Sequence, residues 1–236
     1  MSGFKRTRRL IGGLAAAAAL VTGQAAHAQM DPDNPSCPRE PNWSNYPEMR
    51  FTFEEINGQL ILLAEGRITE ATPAGLRAAL EEREPYEIWV RSPGGHARAG
   101  NEAGRIIREK RFNTRIPAGW ACFSACNFLF MGGDARFVDQ GGLFVVHMFT
   151  HTNDGDTIRS EVSRGNAIGL IGDIEQQSAL LASEDNDFLI RMGVSRLLLT
   201  EVMYRTRAVA ARVGDRSTRR CLSQDEVFRY NVANAR

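Results

Sequence analysis

Lysine is almost missing from this chain. Only Lys5 and Lys110 occur among 29 basic side chains in 236 residues, so any chemistry that needs a lysine base must draw on one of the two. An excess of charge of one sign is missing as well. The 29 basic residues face 28 acidic ones, and a net charge of +1 leaves no electrostatic footprint for nucleic acid. Neither GxGxxG nor GxxxxGK followed by Ser or Thr appears, which removes the usual nucleotide-binding loops. Past the first segment there is no apolar run of about 20 residues, the length a membrane span needs. No internal repeat stands out. What remains, 43% apolar and 24% charged, is globular composition and excludes disorder, collagen and coiled coil as whole-chain descriptions. The length suits one domain or two small ones.

Residues 1–28 read as a secretory signal. Lys5, Arg6, Arg8 and Arg9 make its positive start, an alanine-rich apolar stretch follows, and Ala26-His27-Ala28 has the small-x-small cleavage pattern. Thr7-Arg8-Arg9 weakly resembles a twin-arginine export signal. Removing the four leader charges takes the basic count from 29 to 25 against 28 acidic, a net charge of −3. The apparent balance therefore belongs to the leader. The expected product is periplasmic or secreted, with no membrane attachment after cleavage.

Four cysteines remain: Cys37, Cys122, Cys126 and Cys221. In an oxidising compartment an even count points to disulfides, with three pairings open. The CxxxC spacing of Cys122 and Cys126 is neither a redox CxxC nor a zinc ribbon. A bridge across four residues of a regular helix is poorly placed, but becomes feasible if Cys122 lies in the turn before the helix. The favoured set is Cys122–Cys126 with Cys37–Cys221. The alternative is that some are buried thiols.

Residues 29–48 hold five prolines and no apolar periodicity, an extended N-terminal segment. A domain is expected over 49–236. Phe51, Phe53 and Ile56, then Asn57-Gly58, then an apolar strand, read as a hairpin. Thr72-Pro73 opens a helix. The strand Glu87-Ile88-Trp89-Val90 runs into Ser92-Pro93-Gly94-Gly95, and a helix with Ala99, Ala103, Ile106 and Ile107 on its apolar side follows. Residues 123–131 read as a buried helix, 143–146 as a strand ending at His147, and 159–204 as mostly helical. Ser223 caps a last helix. Alternating strands and helices make this α/β, with a helix-rich C-terminal part.

Three places can carry chemistry. The glycine pair Gly94-Gly95 leaves backbone N–H groups uncovered at a helix start, where an oxyanion could sit, although glycine pairs are also plain punctuation. Ser124 opens an apolar helix, placed either as a nucleophile with the Ala125 amide beside it or as an ordinary N-cap. His147 leaves a buried strand, placed as a base or as a satisfied core histidine. A metal site through His96, His147 and His151 lacks supporting carboxylate–histidine spacing, so no metal is expected.

Together these pieces resemble the Clp protease proteolytic subunit (ClpP) family, within the ClpP/crotonase fold. The resemblance runs from about Leu60 to Val232. It is carried by Leu60-Ile61-Leu62-Leu63-Ala64-Glu65-Gly66, by Ile88-Trp89-Val90-Arg91-Ser92-Pro93-Gly94-Gly95, by the segment around Ser124, by Arg136-Phe137, by Val145-Val146-His147 and by Cys221-Leu222-Ser223. It implies a spiral of β-β-α units, and the leader, which is foreign to the cytosolic protease of this family, makes the expected protein an exported bacterial member. The resemblance implies Ser124 as nucleophile, His147 as base, Asp215 as the third triad member, and an oxyanion hole from Gly95, with Gly94 second to it, and the Ala125 amide. The separation from His147 to Asp215 is longer than the family pattern, and cysteines flanking the serine are foreign to it. No docking segment for an unfoldase is recognisable, and exported proteins meet no ATP. Signal peptide peptidase A shares the fold but resembles a serine–lysine design, for which Lys110 is badly placed. The expected function is an ATP-independent serine peptidase or hydrolase acting on peptide or protein, without a cofactor, and the resemblance implies a homo-oligomer. The alternatives are a non-catalytic binding or scaffold module and acyl-CoA chemistry of the crotonase type, which export argues against.

Overall fold

A computed structural model describes residues 30–31, 34–148, 154–203, 205 and 219–236. The signal segment, His151 and Asp215 lie outside the described residues.

In chain order the elements are β1 (Met30–Asp31), β2 (Asn34–Pro38), β3 (Arg50–Ile56), β4 (Gln59–Glu65), α1 (Thr72–Glu82) and β5 (Glu87–Arg91). Then come α2 (Ala97–Glu109), β6 (Asn113–Ile116), β7 (Ala121–Phe123), α3 (Ala125–Met131), β8 (Arg136–Val138) and β9 (Leu143–Val146). The C-terminal part holds α4 (Gly155–Ser163), α5 (Ala167–Met192), a π-helical turn (Leu198–Met203), β10 (Arg220–Cys221) and α6 (Gln224–Arg229).

The strands form a five-stranded sheet in the order β3-β4-β5-β6-β8 and a three-stranded sheet in the order β10-β9-β7. β3 and β4 are the hairpin expected at Asn57-Gly58, paired antiparallel, and β4, β5, β6 and β8 run parallel. Each turn of the chain visits both sheets. β6 joins the large sheet and β7 the small one; β8 joins the large sheet and β9 the small one. The turns before them do the same in miniature, through single bridges from Ser92 to Cys122 and from Ile68 to Gly95. This is the β-β-α spiral, and it sets Ile68, the turn over 92–95, β7 and β9 side by side.

The apolar run from 121 to 131 divides between a strand and a helix. Phe123 closes β7, and α3 begins only at Ala125. Hydrophobicity alone could not split this run, because a short buried strand and a buried helix look alike in a window of that length. The proline-rich lead-in also carries structure, since β1 and β2 pair antiparallel.

α2 and α3 approach backbone to backbone. A Cβ at Gly100 would collide with the Ala125 carbonyl oxygen, and one at Gly104 with the Phe128 carbonyl oxygen. Two glycines four residues apart lie on one helix face, so this face of α2 is bare where α3 crosses. Around the contact, Ile106, Ile107, Leu129 and Phe130 are fully buried, each side chain worth roughly 1.5–3 kcal/mol.

Arg136 fastens the C-terminal segment to this core. Its guanidinium is buried and donates to the carbonyls of Val232 (2.8 Å), Gly133 (3.0 Å), Met192 (3.3 Å) and Asn231 (2.9 Å). Burial pulls its pKa down to about 10, so it stays charged near neutrality.

Candidate active site

The site is built where β7 turns into α3. Ser124 is the hinge of that turn, with φ 58° and ψ −122°. This is a region that side-chain-bearing residues rarely occupy, at a cost of roughly 1–3 kcal/mol. Three hydrogen bonds hold it. Phe123 N–H donates to Ser92 O (3.0 Å), Ser124 N–H to Val145 O (3.3 Å) and Asn127 N–H to Ser124 O (2.9 Å). Although Ser124 stands at the N-cap position of α3, its side chain makes no capping bond. Its Oγ lies 2.6 Å from His147 Nε2 instead. The N-cap alternative for Ser124 therefore does not describe this serine.

His147 follows directly on β9, so the register of β9 against β7 sets the serine–histidine distance. That register is parallel, with Cys122 opposite Phe144 and Phe123 opposite Val145. Asn127 reinforces it: its buried amide donates to Val145 O at 2.8 Å. One carbonyl two residues before the histidine thus accepts from both the serine amide and the first turn of α3. The Asn127 contact was not anticipated. Its sequence signal was a lone amide inside an apolar run, which a buried helix admits only when the amide is hydrogen-bonded.

The glycine turn closes the other side. Gly94 has φ 81° and Gly95 φ 145°. A Cβ on Gly94 would sit 2.5 Å from Phe123 O and 2.7 Å from Ser124 Cβ, so only glycine lets this turn touch the serine. Ile68 N–H donates to Gly94 O and His96 N–H to Ile68 O, both at 2.9 Å. Those two bonds straddle Gly95, which leaves its own N–H facing away from Ile68. The Gly94 N–H is already given to Ser92 Oγ at 3.0 Å. This corrects the expectation for Gly94. It builds the turn, with its amide engaged there.

The remaining candidates fall into place around this pair. His96 is the N-cap of α2, accepting from Ala99 N–H through Nδ1 at 3.2 Å, with Nε2 3.6 Å from Glu70. Among the described residues no group of three metal-ligating side chains assembles. Lys110 caps the far end of α2. With about 1.5 Å of rise per residue it stands roughly 15 Å along the helix from Gly100, the residue that touches Ala125. Cys122 and Cys126 are bridged across the elbow with Cα atoms 5.3 Å apart, and Cys37 and Cys221 are bridged with Cα atoms 5.1 Å apart. Cys122 sits in the strand rather than in the expected turn, and so still outside the helix, as its bridge to Cys126 requires.

No family model matches the sequence, and no curated protein does. Solved structures do match in shape. A point mutant of ClpP1 from Listeria monocytogenes aligns with TM-score 0.51 at 16% identity, over 74% of this chain and 89% of that one. ClpP1 from the same organism aligns with TM-score 0.47 at 15% identity, over the same shares. An alanine mutant of the membrane-bound stomatin-specific protease 1510-N aligns with TM-score 0.45 at 13% identity, over 74% of this chain and 76% of that one. The chain has a ClpP-like α/β fold. At these identities the likeness speaks of fold alone, and the chemistry rests on the residues described above.

Proposed function

We propose that this chain is an exported, ATP-independent serine hydrolase of the peptidase type. The observation that carries the reading is the 2.6 Å contact between Ser124 Oγ and His147 Nε2 at a strained strand-to-helix elbow. A binding module that had abandoned turnover would have no reason to hold this pair within hydrogen-bond reach.

In this reading His147 takes the Ser124 proton as Oγ attacks a substrate carbonyl carbon. The carbonyl π pair moves onto oxygen, and the Gly95 and Ala125 amides donate to it. Each such donor is typically worth about 3 kcal/mol in the transition state. His147 then returns the proton to the leaving amine as the C–N bond breaks. Water, deprotonated by the same imidazole, then attacks the acyl carbon, and His147 gives that proton to Ser124 Oγ as the ester bond breaks. Asp215, outside the described residues, is proposed to orient His147.

Export is supported by the leader and by two cystine pairs, which suit an oxidising compartment. No described helix is long and apolar enough to cross a membrane. A peptide or protein substrate and a homo-oligomeric state are part of the same proposal.

The test is labelling of the oxidised mature protein with a fluorophosphonate probe, beside Ser124→Ala and His147→Ala. Label mapped to Ser124 and lost in both variants supports the hydrolase. A folded, disulfide-bonded protein that takes no label sinks it in favour of the binding module.

A further inference from the structure

The residues so far described leave one part of the molecule without a task, the lead-in before β3. It is seated on the candidate site. Ala121 N–H, at the start of β7, donates to Asn42 O at 2.9 Å, and Asn42 Nδ2 donates to Gly119 O at 2.9 Å. Further on, Arg67 N–H donates to Tyr46 O at 3.0 Å. The segment is also tied covalently. Cys37 is bonded to Cys221 of β10, the strand that pairs with β9, and the two cysteines share a small apolar cluster with Val145. Phe123 and Leu143 pack against that cluster.

Between the ties, one side chain reaches the chemistry. Trp43 stacks on Phe123 with ring centroids 5.5 Å apart and planes 21° from parallel. Phe123 in turn lies against the His147 ring, centroids 4.6 Å apart and tilted by 39°. The Arg219 guanidinium sits 5.5 Å from the Trp43 centroid, on the indole. An imidazole on the residue just past a strand can turn about its side-chain bonds, and Nε2 meets Ser124 Oγ only in a narrow range of those rotations. A ring wall beside it restricts them.

We propose that the lead-in is a working part of the site, and that Trp43, acting through Phe123, is a positioning residue that holds the His147 imidazole against Ser124. This rests on the hydrolase reading above. The Cys37–Cys221 bond then serves the site by keeping Trp43 in place.

The experiment compares the oxidised mature protein with Trp43→Ala and Trp43→Phe, using two readouts. The first is fluorophosphonate inactivation, separated into the limiting rate and the concentration for half-saturation. The second is the position of the His147 ring-proton resonances in NMR spectra, assigned with His147→Ala. Trp43→Ala should lower the limiting rate about tenfold or more, as misplacing a catalytic group does, with half-saturation unchanged. It should also displace the His147 resonances, and Trp43→Phe, which keeps a ring on Phe123, should restore both. If Trp43→Ala does not fold, Trp43→Leu, apolar but ringless, takes its place with the same expectations. A folded variant with either readout at its wild-type value overturns the positioning role. The resonance needs no turnover: an unlabelled wild-type protein refutes the hydrolase, while the resonance shift still decides whether Trp43 sets the histidine.

Discussion

Every residue from 121 to 131 except Phe123 and Ser124 is buried, whereas no residue from 155 to 180 is. The first stretch is the elbow and its helix; the second is α4 with the first half of α5. Nine of the eleven side chains in the first are apolar against nine of the twenty-six in the second, so composition already separates them. What lies opposite them differs as well. α3 is clasped by α2, by β9 and by a disulfide across its start. α4 has no buried residue at all, and α5 begins to bury side chains only at Leu181, continuing through Asp185, Phe188, Leu189 and Met192. Those later positions recur at helical spacing on one face. The fold thus concentrates its packing where a serine and a histidine must be held within a few tenths of an ångström, and withholds it from the helical arm. Local stability should follow the same division.

The severest way to break the contrast is at the clasp. Gly100→Val would place a branched side chain against the Ala125 carbonyl, in a contact between two helix backbones that has no room for a Cβ. Forcing α2 and α3 apart should cost about 3 kcal/mol or more and drag the Ala125 amide out of place. The expected outcome is a lower denaturant midpoint together with loss of fluorophosphonate labelling. Full stability with full labelling would show that the helices separate without consequence and that the clasp does not set the site.

The seam between the two regions offers a subtler test. Asp185, in the docked half of α5, accepts from Asn101 Nδ2 at 3.0 Å and is buried. Burial pushes its carboxyl up to about 6, only partly countered by that hydrogen bond. Asn101 Oδ1 is buried and has no donor among the described residues, and a protonated Asp185 could donate back to it. The folded state therefore favours the proton more than the unfolded chain does. The stabilisation is fully present below the ordinary value of 3.8 and is lost as pH rises through about 6. Its size is roughly 2–3 kcal/mol. Denaturant unfolding at pH 4 and pH 7 should show this loss in the wild type and not in Asp185→Asn, whose amide supplies the donor at either pH. Equal pH dependence in the two proteins would remove Asp185 from the seam.

The division also explains which features could be read from the chain. Ser124, His147 and the glycine turn were legible because each is marked locally: by a break in an apolar run, by the end of a strand, or by a residue with no Cβ. The hairpin at Asn57-Gly58 and the capping box of Ser223 and Glu226 were legible for the same reason. Trp43 was not, because nothing near it in the sequence says that it meets Phe123. Gly100 and Gly104 looked like interior residues of a helix until α3 lay across them. Gly94 stood second to Gly95 as a donor, and it is the placement of Ser92 Oγ that engages its amide. The lead-in reads as irregular because its pairing joins a strand of two residues to one of five, too short to leave a periodic signal.

The smallest expected effect lies at the arm, and it tests the contrast from the opposite side. Ile168 is 88% exposed, on the first turn of α5. A side chain with so little around it loses almost nothing when truncated, and Ile168→Ala should shift the unfolding free energy by less than about 0.5 kcal/mol. Alanine is also the better helix former, which pushes the change toward stabilisation. Labelling at Ser124 should be unaffected, since no buried contact leads from Ile168 to the elbow. A loss above about 1 kcal/mol would mean that something covers this residue in solution, and the dependence of that loss on protein concentration would say whether the cover is another copy of the chain. In that case the bare length of α4 and early α5 would belong to an assembly, and the contrast between a packed site and an open arm would hold only for the isolated chain.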